Sequence, residues 1–238
     1  MAENPRLSLI IPTINEEEII LHTLHSIAGV LGPLATETEV LIIDDGADDL
    51  PSRVGETPHS FRALTVYRNP ERLGKGASIA RGFGLSKGMV VGFIDADLST
   101  SPHLIVEAHD SIIGGHDVYI ASRDGGRRLH DRSFVKTLVA RIFELGHRFL
   151  LFKGKRVFAD TQCGFKFFKR ATALDLYEDL VSRDGLADLE ILVKAHKRGY
   201  RIAQRSVPRT NLRVGKRRLG AIFAGEAIDF CKIVFRYF

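Results

Sequence analysis

Cysteine is scarce: Cys163 and Cys231 are the only two among 238 residues. Neither a disulfide framework nor a cysteine-based zinc site is implied, and a reducing compartment fits. The opening Met-Ala-Glu-Asn-Pro-Arg lacks the apolar core of a signal peptide. No uninterrupted apolar run reaches the ~20 residues of a transmembrane helix. Tryptophan is absent, and neither an internal repeat nor a low-complexity linker is present. Acidic residues are missing between Glu190 and Glu226, where Lys194, Lys197, Arg198, Arg201, Arg205, Arg209, Arg213, Lys216, Arg217 and Arg218 all fall. Such a block favours an anionic partner: phosphate, nucleic acid or a lipid surface.

What remains is an ordinary globular balance, 45% hydrophobic and 26% charged with a net charge of +5. That is enough for one sizeable α/β domain, or one domain plus an appendage. The most informative stretch is Phe93-Ile-Asp-Ala-Asp-Leu-Ser99. Met89 to Ile94 is a short apolar run with the character of a buried strand. It ends in Asp95 and Asp97. Hard oxygen ligands at a strand end suit Mg2+ or Mn2+, which usually bind one or two carboxylates plus substrate phosphates.

The same pattern recurs along the chain. Strands are expected at Leu7–Ile11 (closed by Pro12), Val40–Ile43, Phe61–Tyr67, Met89–Ile94 and Val118–Ala121. Helices are expected at Asn15–Val30, Lys75–Lys87 and Pro102–Ile113, the first with Glu16 to Glu18 favourably placed at its positive end. Strands alternating with helices indicate a mostly parallel sheet with helices on both faces. Ligands of such sheets bind at the carboxyl ends of the strands. Asp44, Asp45, Asp95, Asp97 and Arg123 all fall there. The second half is expected to hold a long helix over Asp131–Phe152, a short strand over Gly164–Phe168, a helix over Leu186–Arg198 and an edge strand over Arg201–Val207. A last, very apolar helix covers Ala221–Phe238. It needs a deep groove or a membrane interface.

Four segments occur in the order of a known family: Ile-Ile-Pro-Thr-Ile-Asn-Glu (10–16), Leu-Ile-Ile-Asp-Asp-Gly-Ala-Asp-Asp (41–49), Leu-Gly-Lys-Gly-Ala (73–77) and Phe-Ile-Asp-Ala-Asp-Leu-Ser (93–99). The chain resembles the family 2 glycosyltransferases. Asp-Thr-Gln-Cys-Gly-Phe-Lys-Phe-Phe (160–168) is similar to the dolichyl-phosphate glucose synthases, with the mannose synthases as close relatives. The resemblance implies a GT-A fold over residues 1–215 and an amphipathic membrane-interface helix over 216–238. It also implies an inverting, metal-dependent transfer of glucose or mannose from UDP-glucose or GDP-mannose to dolichyl or polyprenyl phosphate. The setting it implies is the cytoplasmic face of a membrane, with the enzyme peripheral or anchored by a segment absent from this chain.

Residue by residue, the resemblance has Pro12, Asn15 and Glu16 frame the nucleoside. Asp44 can accept hydrogen bonds from a uracil or guanine edge. Asp95 and Asp97 would hold Mg2+ or Mn2+ between the phosphates. Ser99 stands where many relatives carry a metal-assisting Gln, so coordination would lean on Asp97, phosphates and water. Gly74 and Gly76 would let the backbone approach the ligand, with Lys75 beside them. Their spacing is wrong for a P-loop, which rules out an NTPase reading. Arg123 and Arg132 match arginines that bind acceptor phosphate, and a guanidinium grips phosphate bidentately. Arg213 and Lys216 would lie over the donor diphosphate. Asp160 and Gln162 would approach the hexose or metal, and Cys163 would pack. Without tryptophan, the Gln-x-x-Arg-Trp motif of processive polysaccharide synthases is missing.

Two rival readings remain. If the acceptor is a sugar hydroxyl of a lipid-linked saccharide, its proton must leave, and Asp188 or Glu190 would be the base. A non-catalytic nucleic-acid or membrane module would use the basic segment, but Asp44, Asp95 and Asp97 would repel nucleic acid phosphates. Nucleic acid is therefore not an expected partner.

Overall fold

A computed structural model describes residues 4–46, 50–55, 57–123, 152, 157–208 and 219–237. Among the described residues there are seven strands: β1 (Leu7–Thr13), β2 (Thr38–Asp44), β3 (Ala63–Arg68), β4 (Val90–Ile94), β5 (Val118–Arg123), β6 (Phe165–Lys169) and β7 (Ile202–Val207). The helices are α1 (Glu17–Leu31), α2 (Leu50–Gly55), α3 (Lys75–Leu85), α4 (Leu104–Ile113), α5 (Arg170–Tyr177), α6 (Ala187–Lys197) and α7 (Leu219–Tyr237). A 3-10 segment, Gly32–Glu37, extends α1. The expected helix over Asp131–Phe152 lies almost wholly outside the described residues, as do Arg132, Arg213 and Lys216.

All strands form one sheet in the order β3-β2-β1-β4-β6-β5-β7. Every pairing is parallel except those of β6, which runs antiparallel to both β4 and β5. The order reverses between β1 and β4, and a crevice at such a switch point is where α/β sheets bind ligands. The mostly parallel, helix-flanked sheet is the expected GT-A-like architecture. β2 and β4 are buried along their whole length, as their near-continuous β-branched runs require.

Two apolar layers sandwich the sheet. One gathers Ile20, Leu24 and Ile27 of α1 and Ile105 and Ile112 of α4 against Leu9, Ile11 and Ile42. The other gathers Ile79 and Phe83 of α3, Leu176 of α5 and Leu189 and Val193 of α6 against Ile10, Ile43 and Phe93. Ile233 of α7 is fully buried in this second layer, while Ile228 and Phe235 stay exposed.

Some boundaries differ from the sequence reading. β1 does not close at Pro12 but runs through it to Thr13. The pairing of β1 with β4 ends at Ile10↔Phe93, so the missing Pro12 N–H deprives β4 of no partner. The short helices α2 and α5 escaped the periodicity argument, since six and eight residues span too few turns. The segment Glu18–Glu37 is long and apolar enough to cross a membrane, with mean hydropathy 1.4. Polar residues interrupt this segment, so it is not one of the uninterrupted apolar runs sought in the sequence. In the fold this segment is α1 with its 3-10 extension, and Ile20, Leu24, Ile27, Leu31 and Ala35 are core residues.

Candidate active site

The strand ends bring four groups of residues together. At the end of β2, Asp44 is buried, 2% exposed. Its carboxylate accepts from the Gly46 N–H at 2.9 Å and from Nε and Nη2 of Arg68, both at 3.1 Å. Arg68 lies directly opposite on β3, in register with Asp44. Gly46 has no room for a side chain: a Cβ there would lie 2.6 Å from Asn15 Oδ1 and 3.1 Å from Asp44 Oδ1. Asn15, with φ of 52°, turns the chain from β1 into α1. Asn15, Asp44 and Gly46 thus form one packed unit.

Asp45 performs a role the sequence reading did not give it. Its two oxygens accept from Asn69 Nδ2 at 2.8 Å, Leu73 N at 2.8 Å and Gly74 N at 2.9 Å. A carboxylate that takes backbone N–H groups in this way fixes a loop. The loop is the Gly74-Lys75-Gly76 turn that opens α3. Gly74 takes φ of 89°, and a Cβ there would lie 2.7 Å from the Arg183 carbonyl oxygen. A Cβ at Gly76 would meet the Ala187 Cβ. These glycines therefore let the start of α3 pack against the start of α6. The close backbone approach seen here is to the chain itself.

Beside this turn lies the Asp95-Ala-Asp97 segment. The Asp95 N–H donates to Gly164 O at 3.0 Å, and Lys75 Nζ sits 2.7 Å from Asp95 Oδ1. Asp97 accepts from the Ser99 N–H at 2.9 Å across Leu98, whose φ is 49°. Ser99 thus contacts Asp97 through its backbone. Glu16 faces both acids. Burial pushes its carboxyl up to about 7, and the charges of Asp97 and Asp95 add to the rise. Negative potential is therefore concentrated at this crevice.

At the end of β5, Arg123 is gripped by Asp160. The Arg123 Nε donates to Asp160 Oδ2 at 2.6 Å and Nη2 to Oδ1 at 3.3 Å, while Gln162 N donates to Oδ1 at 2.9 Å. Burial works against the guanidinium charge, but Asp160 and the more distant Asp95 outweigh it and hold Arg123 protonated. Burial also opposes the Asp160 charge, and Arg123 overcomes it, keeping that carboxyl below its ordinary range. Cys163 is buried, with its Sγ 3.3 Å from Thr100 Oγ1, as expected of a packing residue.

Asp188 and Glu190 lie at the start of α6 in different surroundings. Asp188 Oδ1 is 2.5 Å from Nζ of the fully buried Lys166, and its Oδ2 is 3.8 Å from Lys75 Nζ. Glu190 is fully buried and accepts from Val181 N, Ser182 N and the Tyr237 hydroxyl, each within 3.0 Å. Lys166 was missed by sequence reasoning. A lone lysine inside the apolar run Gly-Phe-Lys-Phe-Phe was the available signal, because a buried ammonium needs a partner.

Among the described residues no three His, Cys, Asp or Glu side chains gather in a metal-binding group. Asp95 and Asp97, faced by Glu16, fit Mg2+ or Mn2+, ions that complete their shell with water and substrate phosphate.

Comparison with known proteins places the chain by family and by fold. The chain is 29% identical over 213 residues to glycosyltransferase AglD of Haloferax volcanii, a match covering 85% of this chain and 33% of that protein. It is 29% identical to the dolichyl-phosphate beta-glucosyltransferase of Dictyostelium discoideum, over 99% of this chain and 76% of the other. The chain thus spans about a third of the first relative and about three quarters of the second. Glucosyl-3-phosphoglycerate synthase from Mycobacterium tuberculosis, crystallised with Mn2+, UDP and glucosyl-3-phosphoglycerate, superposes with a TM-score of 0.70 at 23% identity. That superposition covers 98% of this chain and 80% of the synthase and shows a shared fold. The model of the family described as Glycosyl transferase family 2 matches residues 8–173, from β1 through the acidic strand ends to α5, and the chain belongs to that family.

Proposed function

We propose that this glycosyltransferase moves one hexose, glucose or mannose, from a nucleoside diphosphate sugar to a polyprenyl phosphate of the dolichyl type, with inversion. The observation that carries the reading is the neighbourhood of Arg123 and Asp95. The guanidinium is fixed by Asp160, four residues before the Gly164 that packs on Asp95, so it stands beside the acidic donor crevice. An acceptor phosphate is ionised near neutral pH and can attack without a base, but it needs a cation to offset repulsion from the diphosphate. Asp160 fixes the position of Arg123 through its Nε and Nη2. Asp188 and Glu190 already accept from their own chain, which weighs against either as the base for a hydroxyl acceptor.

On the donor side, Asn15, Glu16, Pro12 and the Asp44–Arg68 pair would frame the nucleoside. Asp95 and Asp97 would hold the ion, with Lys75 beside them on the turn that opens α3. When bound, Mg2+ or Mn2+ supplies Lewis-acid stabilisation of the departing diphosphate. Arg132, Arg213 and Lys216 are proposed to add cationic contacts to the two phosphates. Glucose is favoured by the Asp160–Phe168 segment and by the likeness to the Dictyostelium enzyme. The exposed Ile228 and Phe235 of α7, with the basic segment before it, support work at the cytoplasmic face of a membrane.

The test is a donor and acceptor screen. UDP-glucose and GDP-mannose are each paired with a short polyprenyl phosphate and with a lipid-linked saccharide, with Mg2+ or Mn2+ and with chelator. The expected result is chelator-sensitive transfer to the phosphate from one donor. Transfer only to the saccharide, lost in Asp188→Asn, would replace this reading with the hydroxyl-acceptor one.

A further inference from the structure

Four charged side chains alternate in a row beside the donor crevice: Lys166, Asp188, Lys75 and Asp95. The successive Nζ–carboxylate distances are 2.5, 3.8 and 2.7 Å. The row runs from the interior outward, since the side chains of Lys166 and Asp188 are 0% and 8% exposed and those of Lys75 and Asp95 are 25% and 28% exposed. Both lysines also sit over one ring, with Lys75 Nζ 5.7 Å and Lys166 Nζ 5.4 Å from the Phe93 centroid. Lys166 is anchored twice, because its Nζ also donates to Cys163 O at 2.7 Å. Lys75 instead has a near station on Asp95 and a far one on Asp188. Its backbone is clamped by the Asp45-bound turn, while its four-carbon stem is flexible.

We propose that Lys75 is a resident counter-ion of Asp95. It occupies this metal-binding carboxylate while the donor site is empty, and it moves to Asp188 when the ion and diphosphate enter together. The proposal rests on the metal-dependent reading above. An ammonium on Asp95 competes with a divalent ion for the same oxygens and repels it. The ion alone therefore binds poorly, and the diphosphate tips the balance by adding ligand oxygens and negative charge. Lys75 Nζ is already 3.8 Å from Asp188 Oδ2, so the shift is short, and the Phe93 ring face favours an ammonium nearby. Asp188 is a positioning residue in this scheme. Its second oxygen receives Lys75 while Lys166 holds the first.

The experiment measures Mn2+ binding by electron paramagnetic resonance, without substrate and with UDP or GDP. The proteins are wild type, Lys75→Met, Asp188→Asn and the double variant, each checked for folding by its thermal melt. The expected result is that Lys75→Met tightens nucleotide-free Mn2+ binding by about tenfold or more, the scale of one removed charge contact. Asp188→Asn should weaken it, by confining Lys75 to Asp95, and should have little effect in the Lys75→Met background. A simple field effect would instead make the Asp188→Asn change equal in both backgrounds, and that equality overturns the proposal. Nucleotide-assisted binding in all four proteins, with no tightening in Lys75→Met, overturns it as well. Absence of Mn2+ binding in every protein with either nucleotide would overturn the metal-dependent reading itself.

Discussion

Gly164 and Asp95 occupy space that only a glycine permits: a Cβ at Gly164 would fall onto the Asp95 carboxylate. The contact arises because β6 begins at Phe165, paired with Ile94, so Gly164 abuts the first residue beyond β4. Gly164 O also accepts the Asp95 N–H. One glycine thus sets both the backbone and the side-chain position of a proposed metal ligand.

Gly164→Ala is therefore expected to push Asp95 aside with limited damage to the sheet. A misplacement of about 1 Å at a reacting centre costs on the order of 100-fold in rate. Transfer rate and Mn2+ affinity in the presence of nucleotide should fall together, while far-ultraviolet circular dichroism stays native. Wild-type metal affinity in the alanine variant would show that Asp95 does not hold the ion.

The acidic half of the site was readable in the sequence because each acid ends an apolar strand. Asp44 closes β2, and Asp95 and Asp97 follow β4. Strand ends on one edge of a parallel sheet converge whatever the loops do. The partners of these acids were not readable. Lys166 and Asp188 lie 22 residues apart, and Arg123 and Asp160 lie 37 apart. Only the antiparallel insertion of β6 between β4 and β5 brings such pairs together. Arg68 fell just beyond the expected strand Phe61–Tyr67, so its register with Asp44 went unseen. Gly74 and Gly76 announced a close approach, but their local sequence did not say that it was to Arg183 and Ala187.

The Arg123–Asp160 pair carries a prediction about the acceptor and about pH. Asp160 titrates below its unfolded value, so the pair stabilises the fold above that value, about 4. This stabilisation is lost as pH falls through the lower folded-state value. Across pH 6 to 8 the pair stays intact and adds no pH dependence of its own. Asp160→Asn removes the charge that orients Arg123. The expected result is a rise of roughly tenfold in KM for polyprenyl phosphate, with the donor KM little changed, as befits a lost charge-assisted contact of ~1.5 kcal/mol. A purely structural role would instead lower the thermal midpoint and leave the ratio of the two KM values unchanged. Steady-state kinetics on both substrates, beside a melt, separates the two.

Glu190 carries the last prediction, because its three donors come from two separate places. Val181 N and Ser182 N belong to the loop between α5 and α6, and the Tyr237 hydroxyl belongs to the final turn of α7. The same loop presents the Arg183 carbonyl to Ala77 N and Asp184 to Lys75 N. Burial and the Glu190 charge raise the Tyr237 phenol, so it remains a donor throughout the neutral range. Glu190→Ala would strand the buried Ser182 N–H and the part-buried Val181 N–H, at about 1–3 kcal/mol for a buried group and less for a part-buried one. For a chain of this length each kcal/mol lowers the melting midpoint by about 2–4 °C. A fall of roughly 5–15 °C is expected. Glu190→Gln keeps one acceptor oxygen and should fall less, with measurable transfer retained. A base at this position would behave in the opposite way, since Glu190→Gln would abolish transfer while the melt barely moved. Thermal melts of both variants beside their transfer rates decide between an anchor for the loop that carries the Lys75 turn and a proton acceptor.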